Sequence, residues 1–168
     1  MRILAIDPSI TKTGWAVLES DRTELIDQGY YRPRDKWGRT RFQNLGVAVR
    51  GWCGDYNPDA AIFEKASLPY HGKRINRLYF NNYVSAVSTV ENELCEVLGC
   101  DDVYGVYPQT WKQTKGKKTT IREANLLFSL ELKKKDNDIA DAIMLGVFFI
   151  ERQRIPETAL PPILECTF

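Results

Sequence analysis

Ile3-Leu4-Ala5-Ile6-Asp7-Pro8-Ser9-Ile10-Thr11-Lys12-Thr13-Gly14-Trp15-Ala16-Val17 is the stretch on which the reading of this chain turns. Its opening apolar run predicts a short strand buried on both faces, with a single carboxylate delivered at its end. Pro8 and Ser9 force a turn, and Gly14 opens a second apolar run, Trp15 to Leu18, that reads as the returning strand. Asp7 therefore stands at the tip of a central strand. An aspartate before proline also initiates ordinary turns. Its chemistry depends on whether other carboxylates arrive beside it.

Working outward, Glu24 to Tyr31 reads as a third strand closing a meander, and Arg32 to Gly38 as a basic loop. From Thr40 a helical period sets in, with Phe42, Leu45, Val49, Trp52 and Cys53 on one face, ending before Asn57-Pro58. Asp59 to Phe63 is a fourth strand that ends at Glu64, followed by a polar loop over Lys65 to Lys73. A long helix is expected from about Asn76 to Leu98, with Leu78, Val84, Val87, Val90 and Leu94 as buried candidates and Gly99 as its stop. Val103 to Tyr107 is a fifth strand, and Pro108 begins a short helix carrying Trp111. Further helices are expected from Thr119 to about Leu132 and from near Asn137 to Glu151, before an irregular tail from about residue 153. Three antiparallel strands followed by strands entered through helices give an α/β fold, a mixed five-stranded sheet flanked by helices. No internal repeat or linker divides it, so residues 1–168 are expected to form one domain.

The composition, 43% hydrophobic and 27% charged, is that of a soluble globular chain, and no apolar run is long enough to span a membrane. Four cysteines without C-x-x-C spacing and a single histidine, His71, argue against zinc and against a disulfide framework. A reducing, cytoplasmic compartment is expected. Net charge is only +1, but the basic residues cluster. The clusters are Arg32, Arg34, Lys36, Arg39 and Arg41; then Lys73, Arg74 and Arg77; then Lys112, Lys115, Lys117, Lys118 and Arg122; and finally Lys133 to Lys135. Each alone is the composition of a solvated surface; together they can form a positive stripe for a phosphate backbone.

Glu64 ends the fourth strand as Asp7 ends the first, so parallel neighbours would bring both to one sheet edge. Asp138 and Asp141 lie three apart on the last helix, on one face, beside an apolar stripe of Ile139, Ala142, Ile143, Gly146, Val147 and Ile150. Packing that stripe on the sheet aims both aspartates at its rim. Helix N-terminal acids also answer the helix dipole, but Asp141 in the second turn fits that role poorly. Four converging carboxylates repel one another unless a hard cation joins them, and Mg2+ takes oxygen ligands.

These residues resemble a known family. Strand-Ile6-Asp7-Pro8-Ser9, then Ile62-Phe63-Glu64-Lys65, then Asp138-Ile139-Ala140-Asp141-Ala142 is similar to the RuvC Holliday junction resolvases of the ribonuclease H-like superfamily. Tyr107 to Thr114 continues the likeness, which extends to about Ile150, and the D-x-x-D-A helix is its most specific part. Ser9 where the family has glycine, and a shortened basic loop at Lys115 to Lys118, resemble the bacteriophage branch more than the bacterial one.

The resemblance implies a ribonuclease H-like sheet and a Mg2+-dependent endonuclease that resolves four-way and other branched DNA by paired nicks, leaving 5′-phosphate and 3′-hydroxyl ends. It implies that Asp7, Glu64, Asp138 and Asp141 bind two Mg2+ ions, with Mn2+ as a substitute. Lys112, with Lys117 or Lys118, is implied to approach the scissile phosphate. Tyr70 is the candidate for an aromatic stacked at the junction centre, with Leu68 as the lesser alternative. Lys73, Arg74, Arg77 and Lys115 complete the expected DNA-binding set. Symmetric cutting implies a C2 homodimer, for which Tyr79, Phe80 and Tyr83 on the long helix could serve either partner or core. Alternatives are a ribonuclease H-like RNA-processing nuclease and a junction-binding protein without cleavage. An actin-like ATPase would match the Asp7-to-Gly14 loop but needs a second comparable domain, for which the chain is too short.

Overall fold

Ile3, Leu4, Ala5 and Ile6 of β1 (Arg2–Asp7) have no exposed surface, as a strand covered on both faces requires. The computed structural model describes residues 1–34, 39–67, 76–112 and 116–154. In it β1 lies at the centre of a five-stranded sheet with β2 (Thr13–Glu19), β3 (Glu24–Tyr31), β4 (Ala60–Glu64) and β5 (Val103–Val106). The order is β3-β2-β1-β4-β5. β1, β2 and β3 run antiparallel in turn, whereas β4 is parallel to both β1 and β5. This is the mixed sheet that the sequence leads one to expect.

Side chains alternate between the two faces, and each face has its own core. Leu4, Ile6, Ala61 and Phe63 pack with Leu45, Val49 and Cys53 of α1 (Arg39–Tyr56) and with Ala86, Val87, Val90 and Leu94 of α2 (Arg77–Leu98). Ile3, Ala5, Ala60 and Ile62 pack on the opposite side beneath α5 (Asn137–Gln153), with Trp111 from the short α3 (Pro108–Trp111) and Ala124 from α4 (Lys117–Phe128). α5 comes unusually close. A Cβ placed on Gly14 would lie 2.0 Å from the Asp138 carbonyl oxygen, and one on Gly146 would lie 2.4 Å from Leu18 Cδ1.

Two expectations are corrected. Leu78 and Val84 are 71% and 36% exposed, because burial on α2 begins only at Ala86. The helical period identifies an apolar face but not the length over which a neighbour covers it. α4 starts at Lys117 and ends at Phe128, earlier at both ends than expected, because Ser129 adopts a left-handed conformation (φ 52°). Asn125 then bonds both the amide and the carbonyl of Leu132, which ties the chain beyond the helix back to it. No helix among the described residues is long and apolar enough to cross a membrane.

Because Gly14 faces backbone rather than a flexible side chain, Gly14→Ala must push α5 off the sheet. A loss of about 1–3 kcal/mol is expected from urea denaturation. Gly51→Ala, inside α1 with open space around it, is expected to gain roughly 0.5–1 kcal/mol. An unchanged midpoint for Gly14→Ala would contradict the close approach.

Candidate active site

Ile6 of β1 pairs with Phe63 of β4 in parallel register, so Asp7 and Glu64 leave the sheet at the same end. Alternation also puts them on the same face, because Asp7 continues the series Ile3, Ala5 and Glu64 continues Ala60, Ile62. That is the face covered by α5, whose Asp141 joins them. Asp7, Glu64 and Asp141 are all buried, at 8%, 6% and 3% exposure.

Lys112, which immediately follows α3, enters this group. Its Nζ lies 3.1 Å from Glu64 Oε2 and 2.9 Å from Asp141 Oδ2. The Trp111 indole Nε1–H donates to the same Glu64 Oε2 at 3.0 Å. Asp138, one turn before Asp141, sits further out. It is 3.4 Å from Lys12 Nζ, and its Oδ1 accepts from the Asn137 side-chain amide at 2.7 Å.

The charges are strongly interdependent. Burial holds the Asp7 carboxyl well above its usual range, and the Glu64 charge adds to it; Lys112 opposes, while Asp141 and Asp138 contribute further. Glu64 is raised by burial and pulled back by the Lys112 ammonium. Lys112 itself is lifted above the ordinary lysine value: the attraction of Asp7, Glu64 and Asp141 overcomes the opposing effect of its burial. Tyr83 on α2 is half-buried against the core under α1 and α2, and its hydroxyl is raised by burial, with the Glu64 and Asp7 charges adding to it.

Among the described residues no three carboxylate, histidine or cysteine side chains stand ready-spaced as a metal cage. Lys112 provides positive charge between Glu64 and Asp141 instead. The donor set nevertheless suits a hard cation: every acidic ligand is an oxygen donor, and buried Asp141 Oδ1 has no hydrogen-bond partner among the described residues.

The other expected site residues are placed differently. Arg77 opens α2, and Lys117 and Lys118 open α4; all three are exposed, and no ion pair among the described residues ties them to the carboxylates. Leu68, Tyr70, Lys73, Arg74 and Lys115 lie outside the described residues. The sequence reading did not single out Trp111, Lys12 or Asn137 as parts of the site. Trp111 precedes Lys112 just after a strand end, which is a usable signal; nothing local marks Lys12, whose ammonium reaches the Lys135 carbonyl across the fold.

No family model matches the chain. Two curated proteins do, each described as crossover junction endodeoxyribonuclease RuvC. The one from Alkaliphilus metalliredigens is 24% identical over 161 residues, covering 88% of this chain and 91% of the relative. The one from Brevibacillus brevis is 27% identical over 161 residues, covering 88% and 90%. Over most of its length the chain is similar in sequence to these RuvC proteins. The structure of Thermus thermophilus RuvC in complex with a Holliday junction substrate superposes with a TM-score of 0.73 at 18% identity. It covers 92% of this chain and 96% of that one, which shows a RuvC-like, ribonuclease H-like fold. The acidic group thus lies in a RuvC-like sheet, at the end where β1 and β4 finish.

Asp7 and Lys112 are expected to act oppositely on stability. Since the folded Asp7 carboxyl keeps a proton that the unfolded chain has lost, stability falls as pH rises from the ordinary carboxylate range toward the raised value. Without divalent cations, Asp7→Asn should flatten this slope and raise the melting midpoint, by about 2–4 °C for each kcal/mol recovered. Lys112→Met strands buried carboxylates and should cost about 3–5 kcal/mol. Calorimetry at a series of pH values, from the ordinary carboxylate range upward, decides both. A midpoint lowered by Asp7→Asn would show that attraction to Lys112 outweighs burial and repulsion.

Proposed function

We propose that this chain is a Mg2+-dependent endonuclease that resolves four-way DNA junctions, and cuts other branched DNA, as a homodimer in recombination. The observation that carries the reading is the convergence of Asp7, Glu64 and Asp141 at one sheet edge, with Lys112 among them, in a RuvC-related fold. Asp7, Glu64, Asp138 and Asp141 would hold two ions. Bound there, such ions supply Lewis-acid activation of water and stabilisation of the leaving oxygen. The four carboxylates would fix that charge at the sheet edge, where Asp7, Glu64 and Asp141 are buried.

Lys112 contributes positive charge rather than a proton, because its acidic neighbours keep it protonated throughout the neutral range. It would offset charge developing on the scissile phosphate. Lys117 and Lys118, on the first turn of α4, would hold the adjoining backbone, with Arg77, Lys73, Arg74 and Lys115 extending the contact. Tyr70 would stack at the junction centre. The products would be nicked strands with 5′-phosphate and 3′-hydroxyl ends.

Two symmetric nicks require two sites, and the exposed Leu78 and Tyr79 at the start of α2 offer apolar surface to a second copy. The reading takes residues 1–168 as one nuclease domain of the bacteriophage branch, acting in the cytoplasm of a bacterial host.

Labelled four-way junction, Y-fork and linear duplex DNA should be incubated with the purified protein, with Mg2+ or with chelator. Paired symmetric nicks in the junction, abolished by chelator, are expected. Asp7→Asn, Glu64→Gln and Asp141→Asn should each lose at least about 100-fold in cleavage rate, in line with removal of a catalytic electrostatic group, while still binding the junction. Retained cleavage by any of them would remove that residue from the site. Junction binding without cleavage by the wild type would favour a recognition protein, and cutting confined to RNA would favour an RNA-processing nuclease.

A further inference from the structure

We propose that Trp111 is a positioning residue, whose indole N–H fixes the Glu64 carboxylate in the orientation needed to receive a divalent cation. The inference rests on the reading of this site as a cation-dependent nuclease centre and assigns a role within it.

Two consecutive residues converge on a single oxygen. Trp111 Nε1 is 3.0 Å and Lys112 Nζ 3.1 Å from Glu64 Oε2. They differ in what they can do next. The Lys112 ammonium is on a flexible stem, partly exposed, and shared with Asp141. A positive ion arriving among the carboxylates would compete with it directly. The indole N–H is neutral and donates only, so it does not repel an incoming cation. It is also held fast. Trp111 is 6% exposed and belongs to the core cluster under α5, and its ring shares a small cavity wall with Thr120, Met144, Val147 and Phe148.

The backbone reinforces this. α3 follows β5 after one intervening residue, with Pro108 at its first position, and the Lys112 amide closes the turn on the Pro108 carbonyl at 2.8 Å. β5 pairs with β4 so that Val106 stands opposite Glu64. The donor is therefore mounted on the strand next to its acceptor. When Lys112 leaves Glu64, Trp111 remains, and the carboxylate keeps Oε2 anchored. Hydrogen bonds behind a ligating carboxylate commonly contribute 10- to 100-fold in metal affinity or activity.

The test compares wild type, Trp111→Phe and Met144→Ala. Phenylalanine keeps an aromatic ring in the core but has no donor. Met144→Ala removes volume from the same cavity wall without touching Glu64. Mg2+ is titrated into each DNA-free protein by calorimetry, and melting midpoints are taken without Mg2+. Trp111→Phe is expected to bind Mg2+ 10- to 100-fold more weakly, and to recover junction cleavage as Mg2+ is raised. Met144→Ala should lower the midpoint yet bind Mg2+ as the wild type does. Equal Mg2+ affinity in Trp111→Phe and wild type would overturn the positioning role while leaving the cation site standing. Failure of the wild type to bind Mg2+ would overturn both. Should Trp111→Phe not fold, the 15N-indole resonance of wild-type Trp111, assigned through the backbone, decides. Movement in step with Mg2+ saturation supports the role; a resonance unmoved at saturation overturns it.

Discussion

Nothing separates α5 from the sheet at Gly14, where the Asp138 carbonyl occupies the space a Cβ would need. The rest of the site depends on that contact. β1 and β4 can bring Asp7 and Glu64 to one edge by register alone, but a third carboxylate must come from another layer. α5 supplies it only by lying flush on β1 and β2, with Gly146 admitting Leu18 and Ala5 further along. A methyl group at Gly14 would act on the chemistry and the stability through the same displacement. Register matters as much. Since successive side chains alternate faces, a one-residue slip of β4 would turn Glu64 to the α1–α2 side and leave Asp7 and Asp141 without it.

Three buried acids beside one another form a costly arrangement, and the structure offsets the cost unevenly. Glu64 has both a lysine and an indole donor; Asp141 shares that lysine but keeps one oxygen unpartnered among the described residues. Asp7 is dominated by burial and the Glu64 charge, which is why its carboxyl is held so high. Asp138 lies nearer solvent and is paired with Lys12. Such tension is typical of sites shaped for function rather than for stability.

Much of this was legible in the sequence. The apolar run before Asp7, the Ala-Ala-Ile-Phe run before Glu64 and the spacing of Asp138 and Asp141 follow from period and punctuation, and the structure places these strands and this helix as those signals require. What the sequence does not carry is contact between distant residues. Trp111 reads as a core aromatic, and it is one; its second role exists only because β5 lies beside β4. Lys12 reads as a turn lysine until Lys135 and Asp138 are folded against it. Leu78 and Val84 show the converse, a helical stripe that continues past the surface available to cover it.

Lys112 stands between Glu64 and Asp141 with its charge already in place. The chain therefore carries an internal substitute for an external ion, unlike small metal-folded domains that stay unfolded until loaded. A fold neutralised in this way does not need free cation in order to form. Under the proposed function an ion would be a late arrival, exchanging places with the Lys112 side chain between Glu64 and Asp141.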